Sequence, residues 1–151
     1  MKNSTSRFVM GGILALGLAG TPTASASADG KVVVTPAADL KWTAGSVTGV
    51  STAVAQGDMA KGASHFFLKY AAGFVTPAHH HTPDHYVVLV SGNLVLVVDG
   101  KEQRLGPGSY FALNGKAAHV ARCEGDADCV MFIDARGPWD VVPEATSQPK
   151  R

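Results

Sequence analysis

Hydrophobic runs of membrane length are missing from this sequence of 151 residues, and so is any basic run. The longest apolar stretch, Phe8 to Gly20, has 13 residues. At 1.5 Å per residue, a helix of that length falls well short of a hydrocarbon core about 30 Å thick. The alternative reading of the stretch is an uncleaved membrane anchor, and no cysteine stands just after it to support a lipid anchor. Lysine and arginine total 13 against 12 acids, for a net charge of +1, and they are scattered. Nucleic acid is therefore not an expected partner. No segment after Ala28 keeps a helical period, which argues against a helical architecture.

What the N-terminus does have is the layout of an export signal. Lys2 and Arg7 precede the apolar run, and Ala24-Ser25-Ala26 and Ala26-Ser27-Ala28 both fit the small-x-small rule for signal peptidase. Residues 1–28 are read as a signal peptide cleaved after Ala28, giving a periplasmic or secreted protein with no further membrane contact. Its removal takes two positive charges and no acid, so the mature chain of 123 residues carries −1. That length predicts one domain. Residues 29–142 are assigned to it, and residues 143–151, polar and proline-containing, to a flexible tail.

Between frequent glycines and prolines, β-branched and aromatic residues dominate. Strands are expected at Lys31–Thr35, Val47–Ala55, Ser64–Tyr70, His79–His81, Tyr86–Val90, Leu94–Asp99, Ser109–Leu113, His119–Cys123 and Cys129–Asp134. Short strands at 8–12-residue spacing form the all-β pattern of a sandwich or small barrel. Ser91-Gly92-Asn93 reads as a tight hairpin, and Asp99-Gly100 as a second one. Val87–Val90 and Leu94–Val98 are apolar on both faces, which suits strands buried between two sheets. Cys123 and Cys129 flank Glu124-Gly125-Asp126-Ala127-Asp128, an acidic stretch that reads as a hairpin turn between apolar strands. In an oxidising compartment they read as a disulfide. The other reading keeps Cys123, four residues after His119, as a thiolate near a metal.

Five of the six histidines fall in two places: His79, His80, His81 and His85 together, and His119 alone. Side chains alternate along a strand, so His79 and His81 share a face while His80 points away. After Thr82-Pro83-Asp84, His85 can return to that face from the next strand. Asp84 is a fallback oxygen ligand, and His65, alone on its strand, is read as a packed residue.

Here the sequence resembles the cupin superfamily. The family's first motif is Gly, five residues, His-x-His, three or four residues, Glu, six residues, Gly. Gly73, His79, His81 and Gly92 match it, with His85 at the place of the glutamate. In the second motif Gly108 and His119 match, while Asn114 replaces the proline, Lys116 the second glycine and Cys123 the asparagine. The resemblance covers roughly residues 64–134 and implies an all-β double-stranded β-helix (jelly-roll) barrel. It further implies His79, His81 and His119 as ligands of one divalent transition metal, with His85 as a fourth.

Four imidazoles and no carboxylate suit Fe, Zn, Cu, Ni or Mn better than Mg or Ca, which prefer oxygen. They also leave the ion's charge uncompensated, favouring anionic or enolate-like ligands. Phe66, Phe67, Phe111, Met131 and Phe132 are expected around the metal. Lys69 and Arg122, if turned inward, would bind an acidic substrate. No dedicated general base stands out. The resemblance implies a small-molecule partner, a dioxygenase-like or isomerase activity or else a non-catalytic binding module, and a homodimer. The export reading is checked by intact-mass measurement of protein recovered outside the cytoplasm. A chain beginning at Asp29 is expected; the full 151 residues there would contradict it.

Overall fold

The computed structural model describes residues 32–145. The expected signal peptide, its cleavage site and residues 146–151 of the expected tail lie outside the described residues.

A 3-10 turn at Ala37–Asp39 is followed by eleven strands: β1 Thr43–Ala44, β2 Val50–Gly57, β3 Ser64–Tyr70, β4 His79–His80, β5 His85–Ser91, β6 Asn93–Val98, β7 Lys101–Leu105, β8 Tyr110–Leu113, β9 Val120–Glu124, β10 Cys129–Ala135 and β11 Val142–Pro143. A six-stranded sheet has the order β1-β2-β3-β10-β5-β8. A second has the order β7-β6-β9. Residues 73–80 run antiparallel beside β9 through bridges Val75–Arg122 and His79–His119, and β11 closes this side by pairing with β4. Every pairing is antiparallel. The architecture is the expected all-β jelly-roll barrel.

Alternation along β3 and β10 builds the interior. Phe66, Leu68 and Tyr70 point inward from β3, and Cys129, Met131 and Ile133 from β10, all buried. Val87 and Leu89 from β5 and Leu94 from β6 complete that core. One row across the sheet is different: Ser64, Ala135 and His85 are in register on neighbouring strands. Two small side chains there leave room for an imidazole and for what packs on it.

Several expectations need correction. Lys31–Thr35 is no strand in its described part, where Val32, Val33 and Val34 are exposed. Strand propensity reflects packing on a pleated surface, and no neighbouring strand is supplied. Ser91-Gly92-Asn93 is not a hairpin. β5 pairs with β10 and β8, β6 with β7 and β9, so the chain changes sheet at Gly92. Gly92 has φ +84°, and a Cβ there would stand 2.6 Å from the Asp128 carbonyl oxygen. Residues 124–128 likewise cross from β9 in one sheet to β10 in the other. Asp99-Gly100 is the hairpin expected, with both residues at positive φ and Val98 opposite Lys101. β5 buries one face only: Val88 and Val90 are exposed. β7, which had no apolar signal, was missed because it is almost wholly exposed. Pairing also continues past residue 142, since Pro143 lies in β11 and the Glu144 amide donates to the Ala78 carbonyl.

Cys123 and Cys129 form a disulfide, which excludes the thiolate reading. It ties the two sheets together beside Gly92, with Cα atoms 5.7 Å apart. Closing so short a loop stabilises the fold by about 2–3 kcal/mol on the chain-entropy model. Replacing both cysteines with alanine should lower the unfolding free energy in urea by about that amount while the fold persists. No loss would show that the sheets need no staple.

Candidate metal centre

The histidines meet where residues 73–80 run alongside β9. His79 and His119 are directly opposite, each amide donating to the other's carbonyl at 3.1 and 2.8 Å. Opposed residues of an antiparallel pair share a face, and the two rings lie 4.3 Å apart between centroids. His81, two residues on, returns to that face with its ring 5.0 Å from His79 and 5.3 Å from His119. One nitrogen from each of these three lies within 4.8 Å of the others. Ligands 2.0–2.1 Å from one ion stand roughly 3–3.5 Å apart, so small side-chain adjustments bring the trio onto one cation.

His85 stands outside that trio. Its ring is 4.8 Å from His81 and 6.2 Å from His119, and it lines with those two, but not with His79, an inner niche of about 20 Å³. His80 points the other way, as parity demands, and its Nδ1 pairs with the Glu144 carboxylate at 2.5 Å. His65 is on the outer face, 3.4 Å from Asp134. Asp84 is exposed and accepts from the Gly115 amide at 2.6 Å, so it is not directed at the cluster.

All four clustered rings are buried and share one device. Nδ1 of His79, His85 and His119 donates to the carbonyl two residues earlier: Pro77 at 2.8 Å, Pro83 at 3.3 Å and Ala117 at 2.9 Å. That of His81 donates to the Asp140 carbonyl. A carbonyl only accepts, so Nδ1 carries the proton and Nε2 is left as a lone pair. Such partners fix the tautomer and the ring orientation of metal-binding histidines. Burial is the largest influence on all four, and it holds each below the ordinary imidazole value of 6.5. His81 is depressed to about 3 and His119 to about 4. The cluster is therefore neutral at neutral pH, as ligation requires.

Trp139 was missed by the sequence reading. Its ring stacks on His81 at 3.9 Å and meets Phe66 and His85 edge-on. Asp140 follows it, giving its carbonyl to His81 and its carboxylate to the amide and hydroxyl of Thr82. Their signal was one of two tryptophans, set directly after Gly137-Pro138.

A cavity of about 290 Å³ opens against His79 and His81, walled by Val47, Val50, Leu68, Phe74 and Trp139 among others. Tyr70 lines both this cavity and the inner niche, and burial raises its pKa, so it remains a protonated donor. Phe66, Phe111 and Met131 belong to the interior. Phe67 and Phe132 instead face outward against each other, 5.5 Å apart. Lys69 lies over Trp42, and Arg122 pairs with Glu102 and Glu124, so neither cation turns inward. Lys116 has φ +68° where the motif's glycine would stand, and its amide donates to the His81 carbonyl at 2.8 Å.

The cupin domain family profile matches residues 66–134. A DNA damage-repair/toleration protein, DRT102, of Arabidopsis thaliana is 36% identical over 76 residues, 49% of this chain and 24% of that protein. The match thus spans about a quarter of that relative's length. The fold is similar to the polyketide cyclase RemF from Streptomyces resistomycificus, with a TM-score of 0.65 and 17% identity over 78% of this chain and 89% of that one. It is also similar to the DMSP lyase DddQ from Ruegeria pomeroyi, with a TM-score of 0.58 and 16% identity over 74% of this chain and 64% of that one.

Unfolded histidines take up protons near 6.5, while His81 and His119 resist until about 3 and 4. The unfolded state therefore binds more protons below 6.5, and acidification destabilises the fold. From pH 6.5 towards 5, before most carboxylates titrate, the urea midpoint of metal-free protein should fall. A flat or rising midpoint would contradict neutral buried imidazoles.

Proposed function

Starting from this chain's membership of the cupin superfamily, we propose that it is an exported protein holding one divalent transition metal and acting on a small organic molecule. One observation carries the reading: three buried imidazoles, His79, His81 and His119, each offer a ring nitrogen within 4.8 Å of the others, and two of them, His79 and His81, border an apolar cavity. The donor set fits Fe, Zn, Cu, Ni or Mn. His79, His81 and His119 would hold the ion, and we assign His85, which lines an inner niche with His81 and His119, as a fourth ligand. Export is supported by the N-terminal apolar run and by the disulfide, which suits an oxidising compartment.

When bound, such an ion polarises an oxygen of the substrate and takes up negative charge that develops there. The chain's own residues do the rest. The apolar part of the cavity wall, with Val50, Leu68, Phe74 and Trp139, orients the substrate's carbon skeleton. Tyr70, kept protonated by burial, is a hydrogen-bond donor beside the histidines and not a base. Among the residues lining the cavity there is no aspartate, glutamate or lysine to move protons. Chemistry that leans on an ion more than on a base is supported best: dioxygenase-like oxygenation of an enol or diketone-like substrate, ahead of isomerisation. The enzymes among proteins of similar fold, a cyclase and a lyase, are compatible with catalysis. The same lack of a base favours a second reading, a metal-loaded module that binds its ligand without turning it over.

Elemental analysis tests the premise. Protein from its native compartment should carry about one transition metal per chain. His79→Ala and His119→Ala should lose it while keeping the β circular dichroism, and His85→Ala should lose most of it. Full metal content in the first two variants would overturn the assignment; full content in the third would remove His85 from the ligand set. Oxygen uptake with a β-diketone then separates enzyme from binding module.

A further inference from the structure

The residues around the cavity limit what can enter it. They include Val47, Val50, Met59, Leu68, Phe74 and Trp139; the polar ones away from the histidine end, Ser46, Thr52, Thr76 and Tyr70, carry no charge, and His79 and His81 form that end. Thr76 is already engaged, its hydroxyl oxygen accepting from the Ala121 amide at 2.9 Å. No lysine, arginine, aspartate or glutamate lines either this cavity or the inner niche. The two cations on strands beside the site face away: Lys69 rests 4.4 Å over Trp42, and Arg122 is held by Glu102 and Glu124. A phosphate or carboxylate carried away from the metal-binding end would find no cation on the wall, and burying it against Leu68, Phe74 and Trp139 is unfavourable. A polyhydroxylated molecule would leave most of its hydroxyls unmatched.

We infer that the ligand of this site is a molecule of roughly ten non-hydrogen atoms, taking the ~30 Å³ that a water claims in the liquid as the measure. It has one oxygen-bearing head for the histidine end and an uncharged, largely apolar remainder against Val47, Val50, Phe74 and Trp139. This deepens the proposed function and rests on it for the placement of the head; the character of the tail rests on the cavity alone. Sugar phosphates, uronic acids and dicarboxylates are thereby excluded as ligands, while small ketones, enols and phenols with hydrocarbon tails are admitted.

The test uses the full mature chain in a Trp42→Phe background, leaving Trp139 as the fluorescent reporter. In zinc-loaded protein, 1-phenylbutane-1,3-dione should bind at least tenfold more tightly than acetylpyruvate, which has the same diketone head and a carboxylate in place of the phenyl tail. In metal-free protein, acetophenone should quench Trp139 at concentrations at least tenfold below those needed for benzoate. Thr52→Lys, which puts a cation on the wall, should narrow both ratios. Equal or tighter binding of the charged probe in metal-free protein overturns the inference about the tail. If zinc fails to bind while the acetophenone preference persists, the metal reading falls and the tail assignment stands. A Thr52→Lys chain that does not fold leaves both ratios in the parent protein to decide.

Discussion

An imidazole has two nitrogens, and a metal site needs to know which one is free. In this barrel the question is settled by the main chain. Pro77, Pro83 and Ala117 each offer a carbonyl to the ring two residues later, and Asp140 offers one to His81. Three of the four contacts are thus local, made by the same short stretch that delivers the histidine. The fourth is long-range and brings in the segment carrying Trp139. Without these acceptors each ring could present either nitrogen, and three lone pairs would not be directed together. Burial then keeps the rings neutral, so the two effects act on the same outcome: proton on Nδ1, lone pair on Nε2.

The rest of the fold can be understood as holding those carbonyls in place. His79 and His119 are locked across a mutual pair of backbone hydrogen bonds, so their spacing is that of a strand pair. The row Ser64–Ala135–His85 has small residues where β3 and β10 meet the site, and Phe66 on the next row supports Trp139. At the Gly92 crossing the two sheets are fastened by the disulfide and by an approach too close for any side chain at that glycine. Lys116 accepts a left-handed backbone that costs of order 1–3 kcal/mol for a non-glycine residue, and in return its amide satisfies the His81 carbonyl.

Much of this was legible in the sequence because it depends on local parity. Ser64–Tyr70 and Cys129–Asp134 were legible as strands, and parity separates His80 from His79 and His81, but which of the neighbours Phe66 and Phe67, or Met131 and Phe132, turns inward was not. What was illegible depends on partners distant in the chain. Ser91-Gly92-Asn93 has the composition of a hairpin, but a hairpin and a change of sheet differ only in where the next strand finds its neighbour. Val32–Val34 has high strand propensity with no strand beside it, and Lys101–Leu105 has a strand beside it with no apolar signal. Phe67 and Phe132 were expected near the metal because aromatic residues usually bury; here they cover each other on the outer face. Trp139 and Asp140 act on a histidine 58 and 59 positions away, a distance no spacing rule spans.

Anomalous diffraction from crystals of the zinc-loaded protein, collected on both sides of the metal edge, tests the central claim most directly. The account predicts a single strong site 2.0–2.1 Å from Nε2 of His79, His81 and His119, with every Nδ1 still facing its carbonyl. A metal bound through any Nδ1 of these three rings, or located away from them, would contradict it.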